Sequence, residues 1–393
     1  MSVATEKTDV IVIGLGAMGS AVLYQLAKQG VRAIGLDRFA PPHDRGSSHG
    51  DTRITRQAVG EGSAYVPFVL DSHAIWRELE AATGETLLTT CGVLVIGPRS
   101  GQSSHHGKPD FVARTAEVAA EHGIPHSLLD ASGLRHRFPT FIGVADDALG
   151  YLEPGGGYVR PERCVAAQLR RAVELGAVVQ SGSTVRTVEQ VDGQVHVTTE
   201  RARYHADQAI VAAGAWTGPL LGAPWTRLLT VRRQVLHWFA LEADAPIDAA
   251  LPVQIWMHGT GDADYFYGFP PLPGERGVKV ATEQYETATT ADAAWRTVAP
   301  DEAARMHERH IRGRLAGVTP HALRSTACLY TITPDHGFII DRHPGADRVT
   351  VVAACSGHGF KHSAGIGRAV AETVVKGVSP VDLTPFALAR FAV

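Results

Sequence analysis

The hydrophobic pattern opens with a short apolar strand at residues 9–13. It runs into Gly14-Leu15-Gly16-Ala17-Met18-Gly19, then a segment with Val22, Leu23, Leu26 and Ala27 at helical spacing, closed by Gly30. A second apolar run, 32–36, ends in Asp37. Strand, glycine turn, helix and strand in this order predict a βαβ unit. A polar Gly/Ser/His stretch at 45–51 precedes a helix over 66–83 that Gly84 stops. Residues 86–97 read as one strand, 98–109 as a polar loop and 110–121 as an amphipathic helix. Pro161 and Gly176 bracket a further helix, Asp192-Gly193 marks a hairpin, and 209–213 reads as a buried strand entering Gly214.

Between 227 and 285 the period changes to long β segments at 228–241, 253–258, 265–269 and 277–283, an antiparallel sheet set into an α/β frame. A helix at 300–315, a strand at 348–354, a glycine-rich turn and a helix at 363–376 complete the pattern. Composition narrows the class. With 393 residues the chain has room for two or three domains at about 150 residues each. A formal charge of -3 with 20% charged residues excludes a polybasic surface for nucleic acid or anionic lipid. Cys91, Cys164, Cys328 and Cys355 form no dense framework, so a reducing cytoplasm is expected. Residues 10–27 carry no charge, but three glycines interrupt them and no membrane span is expected.

Gly14, Gly16 and Gly19 sit between strand and helix, and Asp37 lies 18 residues beyond Gly19 at the end of the next strand. The first glycine makes the tight turn, the second admits a pyrophosphate to backbone N–H groups, the third packs helix on strand, and the carboxylate can accept from ribose hydroxyls. Glycine-rich strand-to-helix junctions recur at Gly214 and at Gly357 and Gly359. Three distant segments converging on one extended ligand favour FAD over NAD, with the helix start at 359–365 aimed at an anion.

GSSHGDTRITR at 46–56, GYLEPGGGYVRPE at 150–162, CLYTITPDHGFIID at 328–341 and SGHGFKHSAGIG at 356–367 resemble the monomeric sarcosine oxidase and N-methyltryptophan oxidase group, in that group's order. The resemblance implies an α/β fold: a discontinuous Rossmann-type FAD-binding domain (1–88, 150–222 and 326–393) and an antiparallel β-sheet substrate domain with flanking helices (89–149 and 223–325). It implies oxidation of a secondary-amine amino acid, sarcosine-like or bulkier, to an imine, with O2 reduced to H2O2, by a monomer. A cyclic imino acid or biosynthetic intermediate is the alternative substrate.

The resemblance also implies roles. FAD is bonded through its 8α carbon to Cys328. Gly14, Gly16, Gly19, Asp37, Arg38, Ser47, Arg53, Val185, Gly214, Gly357, Gly359 and Lys361 form the rest of the cofactor set. Arg56 and Lys361 grip the substrate carboxylate; Arg53 and His49 lie beside the flavin; Tyr267, Tyr330 and His358 line the substrate face; Lys279 activates O2 from the opposite face. Trp238, Trp256, Met257, Tyr265 and Phe266 are further cage candidates, of which one strand parity alone faces the substrate. Three departures from the group are visible: Ser48-His49 replaces two histidines, Glu283 stands where sarcosine oxidases carry a pocket histidine, and the loop Pro270 to Arg276 is one residue longer. No metal is expected, since His307-Glu308-Arg309-His310 misses the zinc spacing by one residue and His105-His106 falls in a polar, solvated loop. Cys355 reads as core.

Overall fold

The computed structural model describes residues 5–99, 104–261 and 263–392. Two large sheets organise them. In the first, the strands Val178–Gln180, Ala33–Leu36, Thr5–Ile13, Arg203–Val211 and Ala346–Ala353 run parallel in that spatial order. They are near-continuous apolar runs because helices cover them: Ala17–Lys28 packs against the C-terminal helix Ser363–Lys376 and against Pro161–Glu174. The hairpin Val185–Val191 with Gln194–Thr199 lies beside the first half of Arg203–Val211, and Ala346–Ala353 beside its second half. Gly19 is confined by contact: a Cβ there would stand 1.7 Å from the Gly14 carbonyl oxygen, so helix and turn touch only through glycine.

The second sheet has nine strands. Its centre is the antiparallel set Thr230–Leu241, Gly277–Ala281, Tyr265–Gly268 and Val253–Met257, and Val318–Ile332 pairs along nearly the whole of Thr230–Leu241. Register divides its residues between two faces. Cys328, Tyr330, Trp238, Lys279, Tyr267 and Tyr265 fall on one, while Phe239, Val278, Val280, Phe266 and Trp256 fall on the other, inside a separate apolar core.

Three expectations change. The stretch at 86–97 is two strands, Leu88–Thr89 and Val93–Pro98, because Gly92 at φ +84° turns the chain between them. The helix expected over 300–315 stops as Pro300–Met306, followed by one wide turn, His307–Ile311. In the loop expected at 98–109, Ser104–His105 pairs with Lys108–Pro109 as a hairpin; residues 100–103 lie outside the described set.

Candidate active site

A cavity of about 350 Å3 runs past the C-terminal ends of the parallel strands. Gly14, Gly16, Asp37, Arg38, Ser47, Arg53, Val185, Gly214, Gly357 and Gly359 all line it. The glycine turn suits a pyrophosphate: a Cβ on Gly16 would meet nothing nearer than Ser48 Oγ at 3.5 Å, so the space beside the helix start is open to a ligand. Asp37 accepts from Leu15 N and Phe39 N, both at 2.7 Å, and keeps free lone pairs toward the cavity. Gly19 is packed against Gly14 rather than exposed to the cavity. These residues fit FAD.

Arg53, Tyr330, Gly357 and Phe360 line this cradle and also a smaller inner cavity of about 70 Å3. Tyr265 and Tyr267 reach the inner cavity from the second sheet, Arg56 and Ile54 from the region of the short strand Arg53–Thr55, and His358 and Lys361 from the turn before the C-terminal helix. Of the other cage candidates, Trp256 and Phe266 belong to the opposite core, Met257 is buried in the main core, and Trp238 stacks under Arg324, 3.8 Å from its ring centre.

Arg56 and Lys361, the expected anchors, both line the inner cavity, and neither is bare. Arg56 directs Nη2 to both oxygens of Glu61, at 3.1 and 2.9 Å, and Lys361 Nζ lies 3.9 Å from the same carboxylate while donating to His358 O at 2.9 Å. Burial pushes the Glu61 carboxyl up, yet Arg56 and then Lys361 outweigh it and hold it well below the usual carboxylate range. Burial also brings the Lys361 ammonium down to about 7, against the pull of Glu61.

Glu283 points inward: Oε1 is 3.0 Å from His106 Nε2, and its other oxygen accepts from Tyr285. His106 Nδ1 is 3.0 Å from Glu61, so one imidazole bridges two buried carboxylates. Burial alone would lower its pKa; Glu283, and then hydrogen bonds to Glu283 and Glu61, raise it to about 9 and keep it cationic at neutral pH. The expectation of a solvated His105-His106 is therefore wrong. Both are buried, because the hairpin folds its tip over the cavity. His310 is likewise buried, 3.0 Å from His258, and Cys355, beyond its strand, lines the large cavity. Glu61 and His106 were missed, although each carries a local signal: a charge between two glycines, Gly60 and Gly62, just past Arg56, and an imidazole before Gly107 in a two-residue turn.

Cys328 is fully buried, its Sγ 3.5 Å from Arg53 Nη2 and 3.6 Å from Ser47 O, at the margin of the cradle those two residues line. Burial pushes the thiol up and Arg53 partly reverses that. Lys279 donates to Gly50 O at 2.8 Å and Thr52 O at 2.5 Å, with its Nζ 4.2 Å from the Phe269 ring centre. Burial, then Arg53, holds this lysine well below its ordinary pKa. His49 is buried and neutral, its pKa brought to about 3 by burial and then Arg53, and its Nε2 has no hydrogen-bond partner among the described residues.

Among the described residues no helix is long and apolar enough to cross a membrane. The chain is 37% identical over 386 residues to a monomeric sarcosine oxidase of Streptomyces avermitilis, covering 95% of this chain and 96% of that one. It is 34% identical over 385 residues to an N-methyl-L-tryptophan oxidase of Yersinia pestis, covering 98% and 99%. In fold it is similar to NikD, an unusual amino acid oxidase essential for nikkomycin biosynthesis, with a TM-score of 0.82 at 24% identity over 97% of both chains. The family model described as DAO, FAD dependent oxidoreductase, matches residues 9–373. The chain belongs to that family and is a flavin-dependent oxidoreductase.

Proposed function

We propose that the enzyme oxidises a secondary-amine amino acid, an N-methyl amino acid of sarcosine size or larger, to an imine that water hydrolyses, with O2 reduced to H2O2. The observation that carries this reading is a buried pair of cations, Arg56 and Lys361, in an aromatic cavity that joins the cofactor cradle at Arg53 and Tyr330. Bound FAD supplies the two-electron acceptor between amine and oxygen. Arg56 offers a planar fork and Lys361 a compact charge, so together they orient a carboxylate. Tyr267, Tyr330 and His358 exclude water around the amine. Lys279 stabilises negative charge developing on oxygen, and Arg53 and His49 set the polarity beside the cofactor. Cys328 is the covalent anchor, bonded to the 8α carbon of FAD, with Arg53 favouring its thiolate. The cofactor domain comprises 1–88, 150–222 and 326–393, and the protein works in the cytoplasm, a placement supported by four unpaired cysteines.

The test is peroxide release across amino acids. N-methyl amino acids should give peroxide and formaldehyde in equal amounts; peroxide from primary amino acids alone would reject the proposal.

A further inference from the structure

The inner cavity has a second neighbour besides the cofactor cradle. An outer cavity of about 280 Å3, lined by Gly62, Ser63, Lys108, His336 and Arg390 among others, shares with it only Glu61 and His106 among the described residues. These two side chains touch and are the part of the partition that both chambers share, with Glu61 also held by Arg56 and His106 by Glu283; beside them His358 of the inner cavity packs on Tyr65 and bonds to His336 O of the outer one. The sheet side of the inner cavity is firmer. Ile255, Tyr265 and Tyr267 stand on ladder-bonded strands, and Tyr330 on the long strand paired with Thr230–Leu241 in the same sheet.

Both halves of the partition stand on irregular backbone next to glycine, outside any long helix or strand. Glu61 lies between Gly60 and Gly62, the latter at φ +146°. His106 and Gly107, at φ +51° and +69°, form the two-residue turn of the hairpin. Such turns favour Asn, Asp or Gly at both positions, so an imidazole is held there against backbone preference. Size adds a second argument. The inner cavity holds roughly five water-sized spheres, so an amino acid with a bulky side chain fits only where a wall yields.

We infer that substrate passes from the outer to the inner cavity through the Glu61–His106 contact, and that His106 is the positioning residue that sets how large an amino acid enters. Glu61 and the hairpin tip separate as the ligand passes, while the sheet walls stay fixed. Discrimination between small and bulky substrates thus resides at the door more than in the aromatic cage. This inference rests on reading the inner cavity as the substrate pocket.

Stopped-flow binding of acetate and benzoate to oxidised holoenzyme, read from flavin absorbance, tests it without turnover. Lys108→Trp narrows the outer cavity and leaves the inner one untouched. It should slow benzoate association and dissociation together, at least tenfold, with Kd unchanged, a signature of a blocked path that a structural defect does not produce. His106→Ala should speed both benzoate rates more than tenfold and acetate rates less than threefold, and His106→Gln should restore the wild-type ratio. Unchanged rates in Lys108→Trp, or equal effects of His106→Ala on both ligands, would overturn the route. Wild-type protein that bound neither carboxylate would remove the anchor and the route together. Normal gating with no peroxide from N-methyl amino acids would instead sink the proposed reaction alone.

Discussion

Arg53 Nη2 lies 3.5 Å from Cys328 Sγ, joining residues 275 positions apart at the edge of the cofactor cradle. A buried thiol has no reason to ionise by itself, and the guanidinium is the first group that lowers its pKa. Acid precipitation of the wild-type protein should therefore leave a yellow pellet. Cys328→Ser should leave a colourless pellet and a yellow supernatant, and a yellow pellet from that variant would move the attachment elsewhere, with Cys355 next in line.

Lys279 is tied to two backbone carbonyls and buried. Replacement by methionine keeps the volume and deletes the charge. Reoxidation of reduced enzyme by O2 should slow by about 10²-fold, while anaerobic reduction by substrate changes little. Equal slowing of both half-reactions in stopped-flow would assign Lys279 to structure instead.

Carboxylate binding should depend on pH through Lys361. Its ammonium in the free protein has been brought down to about 7, and an anion binds the protonated form better. Acetate affinity should hold steady from about pH 5.5 to 6, where the ligand is ionised and the lysine protonated, and weaken by up to about tenfold per unit above pH 7. Lys361→Met should bind weakly with a flat profile over that range.

Glu61→Gln leaves Arg56, Lys361 and His106 facing one another with one fewer negative partner. Acetate should bind at least tenfold more tightly, because it no longer competes with an internal carboxylate. Urea denaturation should show a loss of about 3 kcal/mol, the scale for breaking a buried ion pair from one side. Tighter binding without lost stability would mean that Glu61 is not the counter-ion.

Local sequence carried the parts whose partners are local. Gly14 to Asp37 spell out one βαβ unit, and the structure places both on the cradle. Alternation put Tyr265 and Tyr267 on one face and Phe266 on the other, as the register shows. Lys279 and Cys328 were visible through resemblance alone, since a strand lysine or a buried cysteine has no distinguishing pattern. The turn at His106-Gly107 leaves a local trace, but the burial of His106 does not: its partners lie 45 and 177 residues away, and a polar stretch gives no sign that folding will bury it. The direction of Glu283 likewise depended on what stood opposite, and that was His106.

The strand Val318–Ile332 runs 15 residues and pairs in unbroken register from Arg324 to its end. It carries Cys328 and Tyr330 toward one end and, nearer the other, Arg324 over Trp238. No hinge separates Cys328, the proposed tether, from the sheet that walls the inner cavity. Occupancy of the cradle must then be felt mechanically across the second sheet, and the two sheets should melt as one cooperative unit whose transition shifts whole when the flavin is lost.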